Sequence, residues 1–276
     1  MKRISFIGSG VMGTALATAA CKGIDPNEVV VVDIVEEKAR ELAEKLNCNY
    51  VKTNPEAVEL SKYIVFCVKP QFLKDVLEEI APTLQKCIRE GQEKIMVSIV
   101  AGVESQTYRE ILGIGDRQIP IIRMLPNVAC LVGKGFTLIM EDDSYTEEQL
   151  EELKYILRES GGFDTLPPSQ FVAGTVLTST SPAFIAMFAN SLADAGVVNG
   201  LLRHQARRYA LEGILSTVQY LLERDLHFEE LKDNVCSPSG PAMIGVKKLE
   251  EMGFRSSVIN AVVEAYKRFD EIGKIK

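Results

Sequence analysis

The chain has 276 residues, 46% of them hydrophobic and 25% charged, with a formal net charge of −7. Such values describe a globular protein of one large or two modest domains and exclude a disordered, collagen-like or disulfide-scaffold chain. The acidic balance argues against nucleic acid as a partner, because a phosphate backbone calls for clustered Lys and Arg.

In chain order, Ile4–Ile7 reads as a strand and Gly13–Lys22 as a helix. Val29–Val32 is an all-β-branched strand suited to burial on both faces, followed by a helix over Val35–Leu46. Tyr63–Val68 is a strand, Phe72–Ile80 a helix, and Ile95–Val100, Ile119–Arg123 and Phe136–Met140 complete the strands. The run Glu147-Glu148…Glu151-Glu152 opens a helix after Ser144 or Thr146, where the dipole favours acids. This cadence predicts an α/β domain over residues 1–165, with a doubly wound parallel sheet and ligands at the carboxyl ends of its strands. Pro167-Pro168 marks a change. Residues 166–276 read as all-α, with helices near 169–178, 182–199, 203–224, 227–234, 240–252 and 255–272. Breaks are expected at Ser181-Pro182, Gly200, Ser237-Pro238 and Gly253.

Phe171 to Ala193 carries no charge, but its Thr, Ser, Asn and Pro residues suit a helix buried at an interface rather than a membrane span. The long apolar helices predict self-association. Six cysteines form no C-x-x-C pair and only His204 and His227 could join them, so no metal site is expected. The cysteines read as reduced, mostly buried thiols, and both histidines as solvated helix starts. Glycine breaks the apolar run of MKRISFIGSG too early for a signal peptide. A cytoplasmic protein is expected.

The chemistry is concentrated in Gly8-Ser9-Gly10-Val11-Met12-Gly13, a G-x-G-x-x-G between a strand and a helix. In that context the glycines allow a tight turn, approach of a pyrophosphate and close helix–strand packing, while the helix N-terminus offers free N–H groups. Asp33, 20 residues after Gly13, closes the second strand where a carboxylate meets the adenosine ribose hydroxyls. The domain is therefore read as Rossmann-type. No Arg follows Asp33 in Ile34-Val35-Glu36-Glu37, and Lys38 is the nearest cation, so the residues lean towards NADH over NADPH.

The whole chain resembles the pyrroline-5-carboxylate reductase family. The resemblance rests on FIGSGVMGTAL, on Thr53-Asn54 with Ala57-Val58, and on YIVFCVKPQ. It continues through Val97–Val103, Ile122-Arg123-Met124-Leu125-Pro126-Asn127, Leu192–Val197 with Gly200-Leu201, and Val235-Cys236-Ser237-Pro238 with Gly240. It implies an oxidoreductase of proline biosynthesis that reduces a cyclic imine carboxylate with NADPH, the common family cofactor, or NADH, without metal. It implies an all-α dimerisation domain, a dimer and possibly a higher oligomer such as a decamer. The carried-over cofactor residues are Asn54, Val68, Lys69, Pro70, Ala101, Gly102, Pro126 and Asn127, beside Gly8–Gly13 and Asp33. Lys69 reads as a loop lysine beside the cofactor phosphates. Ser237, Ser239, Gly240, Pro241 and Ala242 are implied to hold the substrate, whose carboxylate suits the N–H groups of a helix start. No catalytic side chain is assigned: a protonated imine carbon is already electrophilic, and the site's task is to hold two reacting atoms about 3–3.5 Å apart.

The second half departs from the family pattern. Ser237-Pro238-Ser239-Gly240-Pro241-Ala242 stands where the family reads S-P-G-G-T-T, so Ala242 lacks a hydroxyl. Phe184 takes the place of a usual Tyr, and Asn190 that of a usual Glu. Two other readings follow. A β-hydroxyacid-type dehydrogenase would need a Lys on an early helix of the second domain, and Gly174 to Leu192 contains none. A paralogue acting on another cyclic imine, or a dinucleotide-binding regulator, fits the altered second-half motifs.

Overall fold

A computed structural model describes residues 1–114 and 119–273. Among the described residues eight strands form one sheet: β1 (Lys2–Ile7), β2 (Val29–Val32), β3 (Asn49–Tyr50), β4 (Ser61–Phe66), β5 (Ile95–Ser98), β6 (Ile121–Leu125), β7 (Gly135–Met140) and β8 (Gly161–Leu166). Their spatial order is β3-β2-β1-β4-β5-β6-β7-β8. The first six strands are parallel, in the register Ile4 to Val29 and Tyr63, Tyr63 to Ile95, and Met96 to Ile121. The order 3-2-1-4-5-6 is that of a dinucleotide-binding doubly wound fold.

The helices described beside the sheet are α1 (Val11–Gly23), α2 (Glu36–Leu46), α3 (Asn54–Leu60), α4 (Pro70–Arg89), α5 (Ser105–Leu112) and α6 (Glu147–Leu157). Period-two alternation in the strands makes a core on each face. Phe6, Val31, Val65 and Val97 pack with Leu16 of α1, Leu42 of α2 and Leu153 of α6. Ile7, Val30, Phe66 and Met96 pack with Val58 of α3, Leu77 of α4 and Tyr108 of α5. Thr146 and Gln149 form a capping box at the start of α6, so Thr146 rather than Ser144 is the cap.

Several expectations need correction. The sheet is mixed, because β7 runs antiparallel to β6 while β8 is parallel to β7. The link over residues 126–134 is a single 3-10 turn, too short for the crossover helix a parallel return requires. β3, β8, α3 and α5 were not anticipated, and α4 extends well beyond Ile80, with Pro82 inside it. Cys87 and Cys130 are buried, but the other four free thiols are only partly so.

The remaining helices are α7 (Pro168–Thr175), α8 (Ser181–Val198), α9 (Arg203–Arg224), α10 (Phe228–Val235), α11 (Pro241–Glu251) and α12 (Phe254–Gly273). The break expected at Ser181-Pro182 is present as a helix boundary: α7 ends at Thr175 and α8 starts at Ser181, with Pro182 in its first turn. A π turn over Val176–Thr180 joins α7 to α8. Pro182 has no N–H to give the carbonyl four residues back, that of Thr178. The Asn127 side chain supplies the missing donor: its Nδ2 lies 3.1 Å from the Thr178 oxygen.

The chain divides into two compact units, residues 1–179 with 266–276, and residues 180–265. In the second unit Ala193 and Ala206 alone are buried among the described residues. Met187, Leu222 and Phe228 are 75%, 77% and 75% exposed.

Candidate functional site

The first turn follows from its neighbours. Gly8 donates to the Val32 oxygen at 2.8 Å, and Cys67 donates to the Ile7 oxygen at 2.9 Å, so the ends of β2, β1 and β4 are tied together. A side chain at Gly8, where φ is +103°, would lie 2.7 Å from the Cys67 oxygen, and one at Gly13 would lie 1.9 Å from the Gly8 oxygen. These two glycines bring α1 against the strand ends. Gly10 differs: a Cβ there meets nothing within 4 Å. Gly10 is the N-cap of α1 and has no capping side chain. The N–H groups of Val11 and Met12 thus stand free at a positive helix end beside open space, which is what a pyrophosphate requires.

Asp33 is fixed to the same turn. Its Oδ2 accepts from the Ser9 N–H at 2.7 Å and the Ser9 hydroxyl at 2.8 Å, and its Oδ1 accepts from the Val35 N–H at 3.0 Å. Burial pushes the carboxyl up, but the Ser9 and Val35 N–H groups and the Ser9 hydroxyl outweigh it and hold Asp33 below the usual carboxylate range. The group is an anion at neutral pH, and Oδ1 keeps acceptor capacity for a ribose hydroxyl. Thr14 extends the arrangement by donating to the Ser9 oxygen at 3.0 Å. The bond from Ser9 to Asp33 has one trace in the sequence, the hydroxyl at the first x of G-x-G-x-x-G.

The other candidate cofactor residues all follow strand ends. Asn54 opens α3 after β3; Val68, Lys69 and Pro70 follow β4; Ala101 and Gly102 follow β5; Pro126 and Asn127 follow β6. With Gly8–Gly13 after β1 and Asp33 after β2, they mark the carboxyl ends of six adjacent parallel strands. Between β1 and β4 the connections leave for opposite faces, α1 to one and α4 to the other, and such a switch point opens a ligand crevice. Lys69 is the N-cap residue of α4. Two of these side chains are already engaged. Asn54 donates to the Glu79 carboxylate at 2.6 Å. Asn127 accepts from the N–H groups of Ala129 and Phe136 at 3.2 and 3.3 Å, besides supporting the π turn.

The Ser237–Ala242 segment lies in the second unit. Gly240 is the N-cap of α11, and Pro241, its first residue, has no N–H. The Gly240 N–H is spent on the Ser237 oxygen at 3.0 Å, and the Ile244 N–H on the Gly240 oxygen at 3.2 Å. The N–H groups of Ala242 and Met243 remain at the helix start. Ser239 adopts a left-handed φ of +58°, a conformation that favours glycine.

A family model described as pyrroline-5-carboxylate reductase dimerisation matches residues 168–272, and one described as NADP oxidoreductase, coenzyme F420-dependent, matches residues 3–102. The chain is 33% identical to the pyrroline-5-carboxylate reductase of Methanosarcina acetivorans, covering 99% of this chain and 98% of that one. It is 34% identical to the pyrroline-5-carboxylate reductase of Synechocystis over 99% and 98%. The chain belongs to the pyrroline-5-carboxylate reductase family. The fold agrees: the pyrroline carboxylate reductase of Plasmodium falciparum, solved with NADP bound, superposes with a TM-score of 0.86 at 27% identity, covering 99% of this chain and 98% of that one. As a pyrroline-5-carboxylate reductase family member, this chain carries a nicotinamide-dinucleotide cradle in its first unit and a self-association domain in its second half.

Proposed function

We propose that the protein reduces L-1-pyrroline-5-carboxylate to L-proline with a reduced nicotinamide dinucleotide. The observation that carries the reading is the Gly8–Gly13 cradle on a chain that matches these reductases from end to end. The bound cofactor supplies the hydride. Val11 and Met12 hold the pyrophosphate through their N–H groups, and Asp33 receives the ribose hydroxyls. The Ala242 and Met243 N–H groups face the substrate carboxylate. The imine nitrogen enters protonated, so hydride addition to carbon gives the neutral amine without a proton donor from the chain. Positioning is then the main task of the side chains.

Within this reading NADH is preferred. Asp33 is clamped by Ser9 and Val35 where a 2′-phosphate would lie, and no Arg stands in the Ile34-Val35-Glu36-Glu37 that follow it. Asp33→Ser is expected to raise the NADPH-to-NADH ratio of kcat/KM by about tenfold. Self-association places the helix Pro168–Val198 at a subunit interface. That helix is long and apolar enough to span a bilayer, with a mean hydropathy of 1.5, but its serines, threonines and Asn190 suit a protein partner better. The dimer is the minimal assembly. Six free cysteines suit a reducing, cytoplasmic compartment.

Initial rates with each cofactor and racemic pyrroline-5-carboxylate test the reading. Consumption of reduced cofactor with matching appearance of proline is expected. Cofactor binding without turnover would instead favour a relative acting on another cyclic imine, as the altered Ser239, Pro241 and Ala242 suggest.

A further inference from the structure

A cavity of about 410 Å³ opens in the first unit, between α5, β6, β7 and α7. Arg123 and Glu104 line it together with Met140, Phe171, Val172 and Phe269. One further wall residue, Gly102, belongs to the candidate cofactor set; the others do not.

Two opposite charges line this cavity. Arg123 is half-buried on β6, yet among the described residues its guanidinium donates only to the Met140 sulfur, at 3.4 Å. A thioether is a weak acceptor, so nearly all of a five-donor group is left for something else. The neighbouring acid cannot serve. Asp142 accepts from Ser105 at 3.3 Å and from the Ser144 N–H at 2.8 Å, and lies 4.0 Å from Arg109. Glu104 makes no side-chain hydrogen bond and no ion pair among the described residues. A half-buried cation and an exposed anion thus face one cavity, their charges acting on each other with no hydrogen bond or close ion pair between them among the described residues, beside an apolar wall of Met140, Phe171, Val172 and Phe269.

We propose that this cavity binds an apolar L-α-amino acid. Its carboxylate pairs with the Arg123 guanidinium in the planar, two-point manner that suits this group. Its ammonium reaches Glu104, and its side chain lies among Phe171, Val172 and Phe269. A zwitterion offers a direct partner to each charge at once, whereas a simple carboxylate engages only Arg123 and a simple amine only Glu104. The volume is that of a small-ligand pocket.

Calorimetric titration of the full chain with L-leucine, L-valine and L-phenylalanine tests the site without reference to turnover. Two leucine analogues serve as controls: 4-methylpentanoate, which lacks the amino group, and 3-methylbutylamine, which lacks the carboxylate. At least one amino acid is expected to bind, and each leucine analogue to bind at least about tenfold more weakly than leucine. Glu104→Gln, at an exposed position, should erase the advantage of leucine over 4-methylpentanoate. Arg123→Met should remove binding, and Arg123→Lys should retain part of it; unchanged melting curves and cofactor binding identify folded variants. The proposal is overturned if no amino acid binds at millimolar concentration, if 4-methylpentanoate binds as well as leucine, or if folded Glu104→Gln keeps full discrimination.

Discussion

In the sheet-bearing unit Leu16, Ile64 and Leu84 are sealed between strands and helices, whereas in the helical unit Met187, Leu222 and Phe228 lie three-quarters exposed. The contrast separates two ways of using apolar residues. The first unit has cores on both faces of its sheet, with the candidate cofactor residues at the strand ends. The second spends its apolar residues on an outer surface, which a dimerisation domain covers with another copy of itself. Each large side chain left exposed there is worth about 1.5–3 kcal/mol once buried, so assembly and stability of that half are one quantity.

The largest effect should come from breaking the covered surface. Leu215 on α9 is 53% exposed. Leu215→Glu would bury an unpaired carboxylate in the interface, at a cost of about 3–5 kcal/mol. Light scattering coupled to size exclusion should then report monomer, with the first unit still binding cofactor. A variant that remains assembled would show that α9 presents a different face to its partner.

Two glycines sharpen the comparison from the other side. Gly13→Ala drives a methyl to within 1.9 Å of the Gly8 oxygen, so the turn must open. Cofactor affinity should fall about 100-fold, and the melting temperature should drop. Gly10→Ala meets no atom within 4 Å. It should leave the melting curve unchanged and weaken cofactor binding about tenfold, because the methyl occupies the space left for the phosphates. Equal binding by Gly10→Ala and the parent in a fluorescence titration would remove the pyrophosphate from that turn.

How far the sequence could be read also differs between the units. β1, the glycine turn, α1 and β2 were legible because each step has a local signature: a β-branched run, the G-x-G-x-x-G, and Asp33 at a fixed distance. α3 and α5 were too short, at 7 and 8 residues, to show a clear period. The antiparallel return of β7 was hidden because orientation lies in the connection, not in the strand; counting residues 126–134 would have found it. At Ser181-Pro182 the proline signal marks the start of α8, whereas the π turn before it has no local signature. Asn127, 51 residues away, donates to the carbonyl that Pro182 leaves open. The motif residues of the family were all locatable, but their bonds were not, as Ser9 on Asp33 shows.

The altered loop of the second unit gives the next test. In the proposed substrate loop Ala242 has no hydroxyl to offer an imine nitrogen. If a hydrogen bond of about 1.5–3 kcal/mol is missing in the transition state, Ala242→Thr should raise kcat/KM for pyrroline-5-carboxylate by roughly 10- to 150-fold. An unchanged rate would mean that this loop holds its substrate without that bond.

The smallest effect separates shape from chemistry in the same loop. Ser239 sits at φ +58°, where the family pattern has glycine, and Gly240 is held against Ser237, since a Cβ on it would lie 2.3 Å from the Ser237 hydroxyl. Ser239→Gly removes the left-handed cost of a side chain, about 1–2 kcal/mol, and adds back much of it as unfolded-state entropy. A gain near 0.5 kcal/mol in a denaturant or thermal melt is therefore expected. Turnover with Ser239→Gly should match the parent, because the backbone already follows the glycine path. Should Ser239→Gly accelerate the reaction as much as Ala242→Thr, the divergence of the loop would lie in its conformation, and the missing hydroxyl would be incidental.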